Sequence, residues 1–166
     1  MSKFIELCET FKDSRDEYIV YRDTCYNFMG TLVHKLIDSW QCPEEAITWI
    51  PVDKDIEPNT RYSIPGAMTL DEDAWWHLGL VITLYVKPNV FPQEKLLLDI
   101  CLKKDEDGFI LKVAGPDNEF SVHEGNDEEC EAFYESVYDI IKGNYKKGLN
   151  DFLDGEIKTR KIGFQA

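Results

Sequence analysis

The strand that decides the fold reads Trp76-His77-Leu78-Gly79-Leu80-Val81-Ile82-Thr83-Leu84-Tyr85-Val86. Its even positions are all apolar, whereas its odd positions mix His, Gly, Val, Thr and Tyr. A repeat of two residues is typical of a β-strand, because successive side chains point to opposite faces of the sheet. The pattern therefore predicts a central strand from Trp76 to Val86 with one face fully buried. Pro88 lacks a backbone donor and is expected to end it.

Two stretches further along the chain repeat this alternation and predict a hairpin. They run from Lys95 to Lys103 and from Phe109 to Val113, and the acidic turn between them ends at Gly108. Requiring their apolar faces to match predicts two cross-strand pairs, Leu102 with Phe109 and Ile100 with Leu111.

Shorter apolar segments predict strands at the margins of the sheet. One runs from Ile47 to Val52, where Pro51 confines it to an edge or an end. Another is expected at Phe120 and Val122. Near the C-terminus, Ile162 and Phe164 predict either a brief strand or a loose tail.

The first forty residues carry an apolar stripe at helical spacing, formed by Phe4, Leu7, Phe11, Tyr18, Tyr21, Cys25, Phe28, Leu32, Leu36 and Trp40. Ser14 and Glu17 have the Ser-x-x-Glu spacing of a capping box. An unbroken helix over this stretch would be about 55 Å long and would overhang a small domain. We therefore expect a break near Ser14, with the second half docking on the sheet.

A second major helix is predicted to start after Asn126, which is placed to cap it, with Glu129 in the capping-box position. Gly143 and Gly148 weaken its later part, so a kink or restart is expected there. Together these elements predict one α+β domain spanning residues 1–166, an antiparallel sheet of four to six strands with N-terminal and C-terminal helices packed on it.

The charge balance limits the partners of such a domain. The chain of 166 residues carries 32 acidic and 18 basic residues, a formal net charge of −14. Nucleic acids and anionic membranes would repel this charge, so direct binding to either is not expected. A basic protein would be attracted.

The longest apolar run, from Leu78 to Val86, is about half of the roughly 20 residues that a membrane-spanning helix needs. The five cysteines are odd in number and have no short spacing between them. They predict reduced core residues of a cytoplasmic protein, not a disulfide frame or a zinc site.

A thiol, an imidazole and a carboxylate lie on adjacent predicted strands, at Cys101, His77 and Asp99. A thiolate nucleophile needs a neighbouring base, and that base needs an orienting acid. The register expected for an antiparallel pair sets Thr83 opposite Asp99 and Val81 opposite Cys101. His77 would then lie about 13 Å along the strand, beyond hydrogen-bonding distance, so we assign no catalytic residue.

The other two histidines offer weaker candidates. His34 falls off the apolar stripe and is expected to face solvent. His123 precedes an acidic segment that could hold Mg²⁺ or Mn²⁺, but acidic residues in a first helical turn are better explained by the helix dipole. No phosphate-binding glycine motif or nucleophile elbow occurs. No metal-binding or cofactor-binding residue is assigned.

The acidic loop before the central strand is the best candidate for a partner surface. Alternation turns Trp76 inward, so Trp75 points either to an exposed rim beside Asp71, Glu72 and Asp73 or under the first helix. An exposed indole surrounded by acids is typical of an interface hot spot. Two further acids complete the predicted set, Glu128 and Glu131.

Three functions remain open from the sequence. The first is a non-enzymatic acidic protein that sequesters or neutralises a basic protein, as immunity proteins, inhibitors and secretion chaperones do. The second is an enzyme or ligand-binding domain with a pocket between sheet and helices that uses His77, Tyr85 and Asp99. The third is a subunit whose long first helix pairs with another protein or with a copy of itself, giving a homodimer.

Overall fold

One long antiparallel hairpin forms the middle of the sheet, with β3 (Trp76–Lys87) paired to β4 (Val90–Lys104). The computed structural model describes residues 2–57, 60–87, 90–115, 118–153 and 161–162. The other elements, in chain order, are α1 (Lys3–Trp40), a 3-10 turn (Glu44–Ala46), β1 (Ile47–Ile50), α2 (Ile64–Ala67), β2 (Met68–Leu70), β5 (Phe109–Val113), β6 (Phe120–Val122), α3 (Asp127–Leu153) and β7 (Lys161–Ile162).

Within the described ranges the strand order is β1-β3-β4-β5-β6, and all neighbours on this path are antiparallel. β2 pairs with β3 beside β1, and β7 pairs with β4 in parallel. The predicted α+β fold and antiparallel sheet are confirmed, since the described residues form six antiparallel strands and a short parallel seventh. Pro88, the predicted end of the central strand, lies outside the described residues. Phe164, a residue of the possible terminal strand, lies outside them too.

The register predicted for β3 and β4 is wrong by four residues. Asp99 lies opposite Gly79, not Thr83, and Cys101 lies opposite His77, not Val81. The predicted register assumes a long loop before Lys95, whereas the strand pairing extends to Val90 opposite Lys87. A shift of four keeps every side chain on its face, so alternation cannot detect it.

The second hairpin shows a similar shift, of two residues. Leu102 lies opposite Leu111 rather than Phe109, and Ile100 lies opposite Val113 rather than Leu111. β4 continues one residue beyond the predicted end, so Lys104 pairs with Phe109 and the turn closes tightly through a hydrogen bond from Asp105 N to Gly108 O of 2.8 Å. The predicted faces are confirmed although the predicted pairs are not.

Both long helices pack on the same face of the sheet, where the even positions of β3 are buried. Phe28 of α1 stacks on Phe109 with ring centroids 3.9 Å apart. Tyr134 of α3 donates a hydrogen bond of 2.7 Å to the Leu32 carbonyl, which ties the two helices together. Apolar side chains therefore fill the layer between sheet and helices.

The opposite face of β3 is buried too over its first seven residues, so the expectation of one buried face was incomplete. A small second core lies there, made of Ile50, Val81 and Leu97. Gly79 permits it, because a Cβ at this position would lie 2.6 Å from the Ile50 carbonyl oxygen. The close approach of β1 to β3 thus requires the absence of a side chain.

The predicted break in the first helix does not occur. α1 is continuous over 38 residues, and Ser14 lies inside it. Ser2 caps its start by accepting a hydrogen bond from Ile5 N, and Gln41 ends it in the left-handed conformation with φ of 54°. The overhang that argued for a break is real, because every residue from Ser2 to Tyr18 is exposed with respect to the described chain.

The start of α3 is as predicted, since Asn126 Oδ1 accepts a hydrogen bond of 3.1 Å from Glu129 N. The Glu129 carboxylate, however, turns to His123, accepting from its backbone N–H at 3.0 Å and lying 2.9 Å from Nδ1. The expected restart at Gly143 or Gly148 is absent, because α3 runs unbroken from Asp127 to Leu153. Packing of its apolar stripe outweighs the low helix propensity of glycine.

Candidate functional site

The side chain of His77 lies at the centre of a cluster of acidic and thiol groups. β3 holds His77 directly opposite Cys101 of β4, and Asp99 is two residues earlier on the same face. Asp71 and Asp73 approach from the loop between β2 and β3. Side chains directly opposite and diagonal across a strand pair lie within reach of one another, so the sheet itself assembles the first three groups.

The β2–β3 loop is folded to present its carboxylates to the imidazole. Ala74 adopts the left-handed conformation with φ of 66°, which lets Asp71 N bond to Trp75 O at 3.2 Å. Asp73 Oδ1 accepts a hydrogen bond of 2.9 Å from Trp75 N. Hydrogen bonds within the loop thus hold Asp71 and Asp73 in place.

Each ring nitrogen of His77 faces acids. Nδ1 lies 2.9 Å from Asp99 Oδ1, 3.1 Å from Asp99 Oδ2 and 3.4 Å from Cys101 Sγ. Nε2 lies 3.3 Å from Asp71 Oδ2 and 3.4 Å from Asp73 Oδ2. His77 is 7% exposed, Asp99 6% and Cys101 0%. The inner part of the cluster is therefore shielded from water, while Asp71 and Asp73 lie at its exposed rim.

The surrounding charges favour a protonated imidazole. Hydrogen bonds to Asp99, then to Cys101, raise the pKa of His77 from 6.5 to about 11, against the opposing effect of burial. Burial raises the pKa of the Cys101 thiol, although His77 acts to lower it. Burial also acts to raise the pKa of Asp73, but its hydrogen bond from Trp75 and the charge of His77 outweigh this and lower it.

This arrangement differs from that of a thiol nucleophile with a base and an orienting acid. In such a triad the histidine uses one nitrogen for the thiol and the other for the acid. Here Asp99 and Cys101 both face Nδ1, and the thiol is fully buried. The same donor set suits a metal ion, since His, Cys and carboxylate are all ligands of zinc.

The sequence identifies His77, Asp99 and Cys101 as candidates, but the register predicted from it places His77 too far from the other two for a hydrogen bond. That register is wrong by four residues. The signal in the sequence that could have identified this contact is that the three side chains can share one face of two adjacent strands. Tyr85, the third predicted pocket residue, is half-buried opposite Gln93, eight residues further along β3. At about 3.3 Å per residue it lies roughly 26 Å from His77 and does not join the cluster.

Trp75 is not the exposed indole that the sequence suggested, since only 9% of it is exposed. Lys112 Nζ lies 4.4 Å and Lys103 Nζ 5.8 Å from its ring centroid. These lysines belong to β5 and β4, so the ring contacts place Trp75 against the sheet rather than under α1. Its acidic neighbours Asp71, Glu72 and Asp73 are exposed.

The remaining predicted residues lie on α3 and α1. Glu128 and Glu131 are exposed, and Ser39 Oγ donates a hydrogen bond of 3.3 Å to Glu131. His34 is exposed as expected, with its ring 6.0 Å from that of Trp49. His123 pairs with Glu129, and among the described residues it joins no group of potential metal ligands.

An open groove of about 730 Å³ lies between α1, β1 and α2. Tyr26, His34 and Trp49 contribute to its lining, together with Ile64 of α2. It contains none of the residues that the pocket hypothesis named, His77, Tyr85 and Asp99. A pocket between sheet and helices, as that hypothesis requires, would have to displace the apolar core.

The first half of α1 presents a row of large apolar side chains that the described chain leaves uncovered. Phe4 is 73% exposed, Leu7 67% and Phe11 68%. The row continues the stripe that packs on the sheet further along, at Cys25 and Phe28. No helix in the described part of the chain has the length and apolar character needed to cross a membrane.

Comparisons with protein-family models, curated proteins and solved structures find no significant match to this chain.

Proposed function

We propose that the protein is a non-enzymatic binding protein that captures a basic protein partner through the first half of α1. The observation that supports this most directly is the uncovered row of Phe4, Leu7 and Phe11. Because these side chains follow one another at intervals of three and four residues, they lie on one face of the helix. That spacing is typical of an amphipathic helix that lies in an apolar groove.

The uncovered area is large enough to mark an interaction surface. A fully exposed aromatic side chain presents roughly 150–250 Å², so Phe4, Leu7 and Phe11 together leave on the order of 400 Å² uncovered. The largest apolar patch of a monomeric protein is about 300–600 Å² and is often functional. From Lys3 to Val20 the segment is about 27 Å long, which suits a groove on a second protein.

The charge of the chain favours a basic partner over a second copy. The net charge is −14, and the segment from Lys3 to Val20 has five acidic against three basic residues. Two copies repel each other, whereas a basic groove is attracted and its encounter rate is raised by electrostatic steering. The exposed carboxylates of Glu72, Glu128 and Glu131 add to this field.

The loop of Asp71 and Asp73 has a smaller role in this proposal than the sequence suggested. Its carboxylates face a protonated His77, and Trp75 is covered by Lys103 and Lys112. The local charge is therefore partly compensated. The pocket-based alternative draws less support, since Tyr85 lies far from His77 and Cys101 is fully buried.

The test is affinity capture from the native host with quantitative mass spectrometry, comparing the wild type with Phe11→Asp. Val86→Asp is the matched control, because Val86 is also exposed, at 73%, and the substitution adds the same charge elsewhere. A basic protein that is captured by wild type and Val86→Asp but lost with Phe11→Asp is expected. Its association rate, measured with the purified pair, should fall as salt is raised.

Three outcomes would overturn the proposal. Capture of no basic protein is one, and equal capture by wild type and Phe11→Asp is another. The third is sedimentation of the purified wild type as a dimer that Phe11→Asp converts to a monomer, because this would assign the apolar row to self-association.

A further inference from the structure

We propose that His77 Nδ1, the Asp99 carboxylate and Cys101 Sγ form a binding site for one zinc ion. The site is separate from the surface on α1 and goes beyond the binding function proposed above. The ion would lie between β3 and β4, beside the β2–β3 loop. The chain supplies three ligands, so a water would take the fourth position of a tetrahedral ion.

The distances between the three ligand groups fit tetrahedral zinc. With zinc to ligand distances of about 2.0–2.3 Å, tetrahedral geometry puts the ligand atoms of such a set roughly 3.3–3.6 Å apart. In the structure Nδ1 to Sγ is 3.4 Å, Sγ to Asp99 Oδ1 is 3.6 Å and Nδ1 to the same Oδ1 is 2.9 Å. Shifts of a few tenths of an ångström would accommodate the ion.

The contacts of the second ring nitrogen supply an independent argument. A histidine that binds a metal through one nitrogen almost always donates the N–H of the other to a carboxylate, carbonyl or water. Nε2 of His77 faces Asp71 Oδ2 at 3.3 Å and Asp73 Oδ2 at 3.4 Å. Once Nδ1 has lost its proton to zinc binding, the β2–β3 loop would hold the remaining proton on Nε2.

The neighbouring position on β2 also fits a bound ligand. Thr69 lies directly opposite His77, and its buried Oγ1 has no hydrogen-bond partner in the described structure. A buried hydroxyl is normally satisfied, and a water bound beside a metal is one group that would do so.

The charge balance also permits the ion in this buried place. Zinc bound to a thiolate, a carboxylate and a neutral imidazole gives a group with no net charge. It would replace an imidazolium and carboxylate pair that is neutral as well, so no unpaired charge is buried. Binding releases the Cys101 thiol proton and the His77 Nδ1 proton to solvent.

The experiment is calorimetric titration of the chelator-treated full chain with zinc ions. Wild type should bind one ion, and Cys101→Ala and His77→Gln should weaken binding at least tenfold. Cys25→Ala is the matched control, because Cys25 is equally buried but lies on α1, and it should bind like wild type. Joint substitution of Asp71→Asn and Asp73→Asn should weaken affinity by about 10–100-fold, as expected for partners that orient a ligand.

A spectroscopic measurement keeps the proposal testable if Cys101→Ala fails to fold. Cys8→Ser with Cys42→Ser removes the thiols of the two cysteines that are not buried. Cobalt added to that variant should give the thiolate-to-cobalt charge-transfer band and the visible absorption of a tetrahedral ion. Absence of this band overturns the proposal, as does a lack of zinc binding by wild type or unchanged binding by Cys101→Ala.

Discussion

His77 and Cys101 lie directly opposite each other on the two central strands, with Nδ1 and Sγ 3.4 Å apart. Asp99 completes the group from two residues away on β4, at 2.9 Å from the same nitrogen. A titratable cluster is thus placed in the part of the sheet where both faces of β3 are buried.

Asp99→Asn should be strongly destabilising in the metal-free protein, because it leaves the His77 imidazolium with no charged partner at Nδ1. Removing one member of a buried ion pair costs about 3–5 kcal/mol. Urea unfolding with chelator present, followed by tryptophan fluorescence, measures this cost. Glu106→Gln in the exposed turn is the control, with an expected change within about 0.5 kcal/mol. A loss below about 1 kcal/mol for Asp99→Asn would contradict the buried pair.

Gly79→Ala should destabilise the protein by about 1–3 kcal/mol, because the added Cβ would lie 2.6 Å from the Ile50 carbonyl oxygen. Gly30→Ala is a matched control on α1, where a Cβ meets nothing within 4 Å. That change should be stabilising by about 0.5–1 kcal/mol, since alanine is the better helix former. If the two substitutions have equal effects on unfolding in urea, β1 does not approach β3 as closely as described.

The two halves of α1 should respond differently to truncation. Leu32→Ala removes a fully buried side chain and should cost about 2–5 kcal/mol of unfolding free energy. Leu7→Ala changes an exposed position and should stay within about 0.5 kcal/mol. Thermal and urea unfolding of the two variants check this. A large loss for Leu7→Ala would mean that the first half of α1 is covered in the folded protein.

The pair of His123 and Glu129 should make the start of α3 sensitive to pH. The hydrogen bond to Glu129 raises the pKa of His123 above 6.5, and the bonds from the His123 N–H and side chain lower the pKa of Glu129 below 4.5. A raised histidine pKa stabilises the fold below pH 6.5, and this is lost as pH rises through the folded value. A lowered glutamate pKa stabilises it above pH 4.5, and this is lost on acidification.

The pair therefore stabilises most between about pH 4.5 and 6.5. Nuclear magnetic resonance titration of the His123 ring should show a pKa that falls when Glu129→Gln is introduced. Glu45→Gln, which removes an exposed carboxylate outside α3, is the control and should leave the His123 titration unchanged. A His123 pKa that does not respond to the substitution would show that the pair is not formed in solution.

Alternation predicted the strands well because it reports which residues face the core. The central strand from Trp76, the hairpin at Gly108 and the strand at Phe120 are all found. Alternation did not predict which residues lie opposite each other on neighbouring strands. A register shifted by two or four residues keeps the same faces buried, so the sequence pattern is identical for the correct and the incorrect pairings.

The burial of Trp75 and the continuity of α1 show a second limit. Trp75 lies beside three acids in sequence, but its ring contacts the lysines of β4 and β5, which only the folded sheet brings near. Ser14 and Glu17 have the spacing of a capping box, but the same spacing occurs here inside a continuous helix. Local signals cannot weigh contacts that are made across the fold.

Residue order by itself determined the class of this protein, an acidic α+β domain with a buried alternating strand and amphipathic N-terminal and C-terminal helices, because periodicity and charge are local properties of the chain. Tertiary structure alone decided that His77, Asp99 and Cys101 meet, and that the described part of the chain leaves Phe4, Leu7 and Phe11 of α1 exposed. The cluster depends on the register of the paired strands, and the exposed segment depends on how far the sheet extends along α1. Contacts between residues far apart in sequence set both the register and the extent of packing.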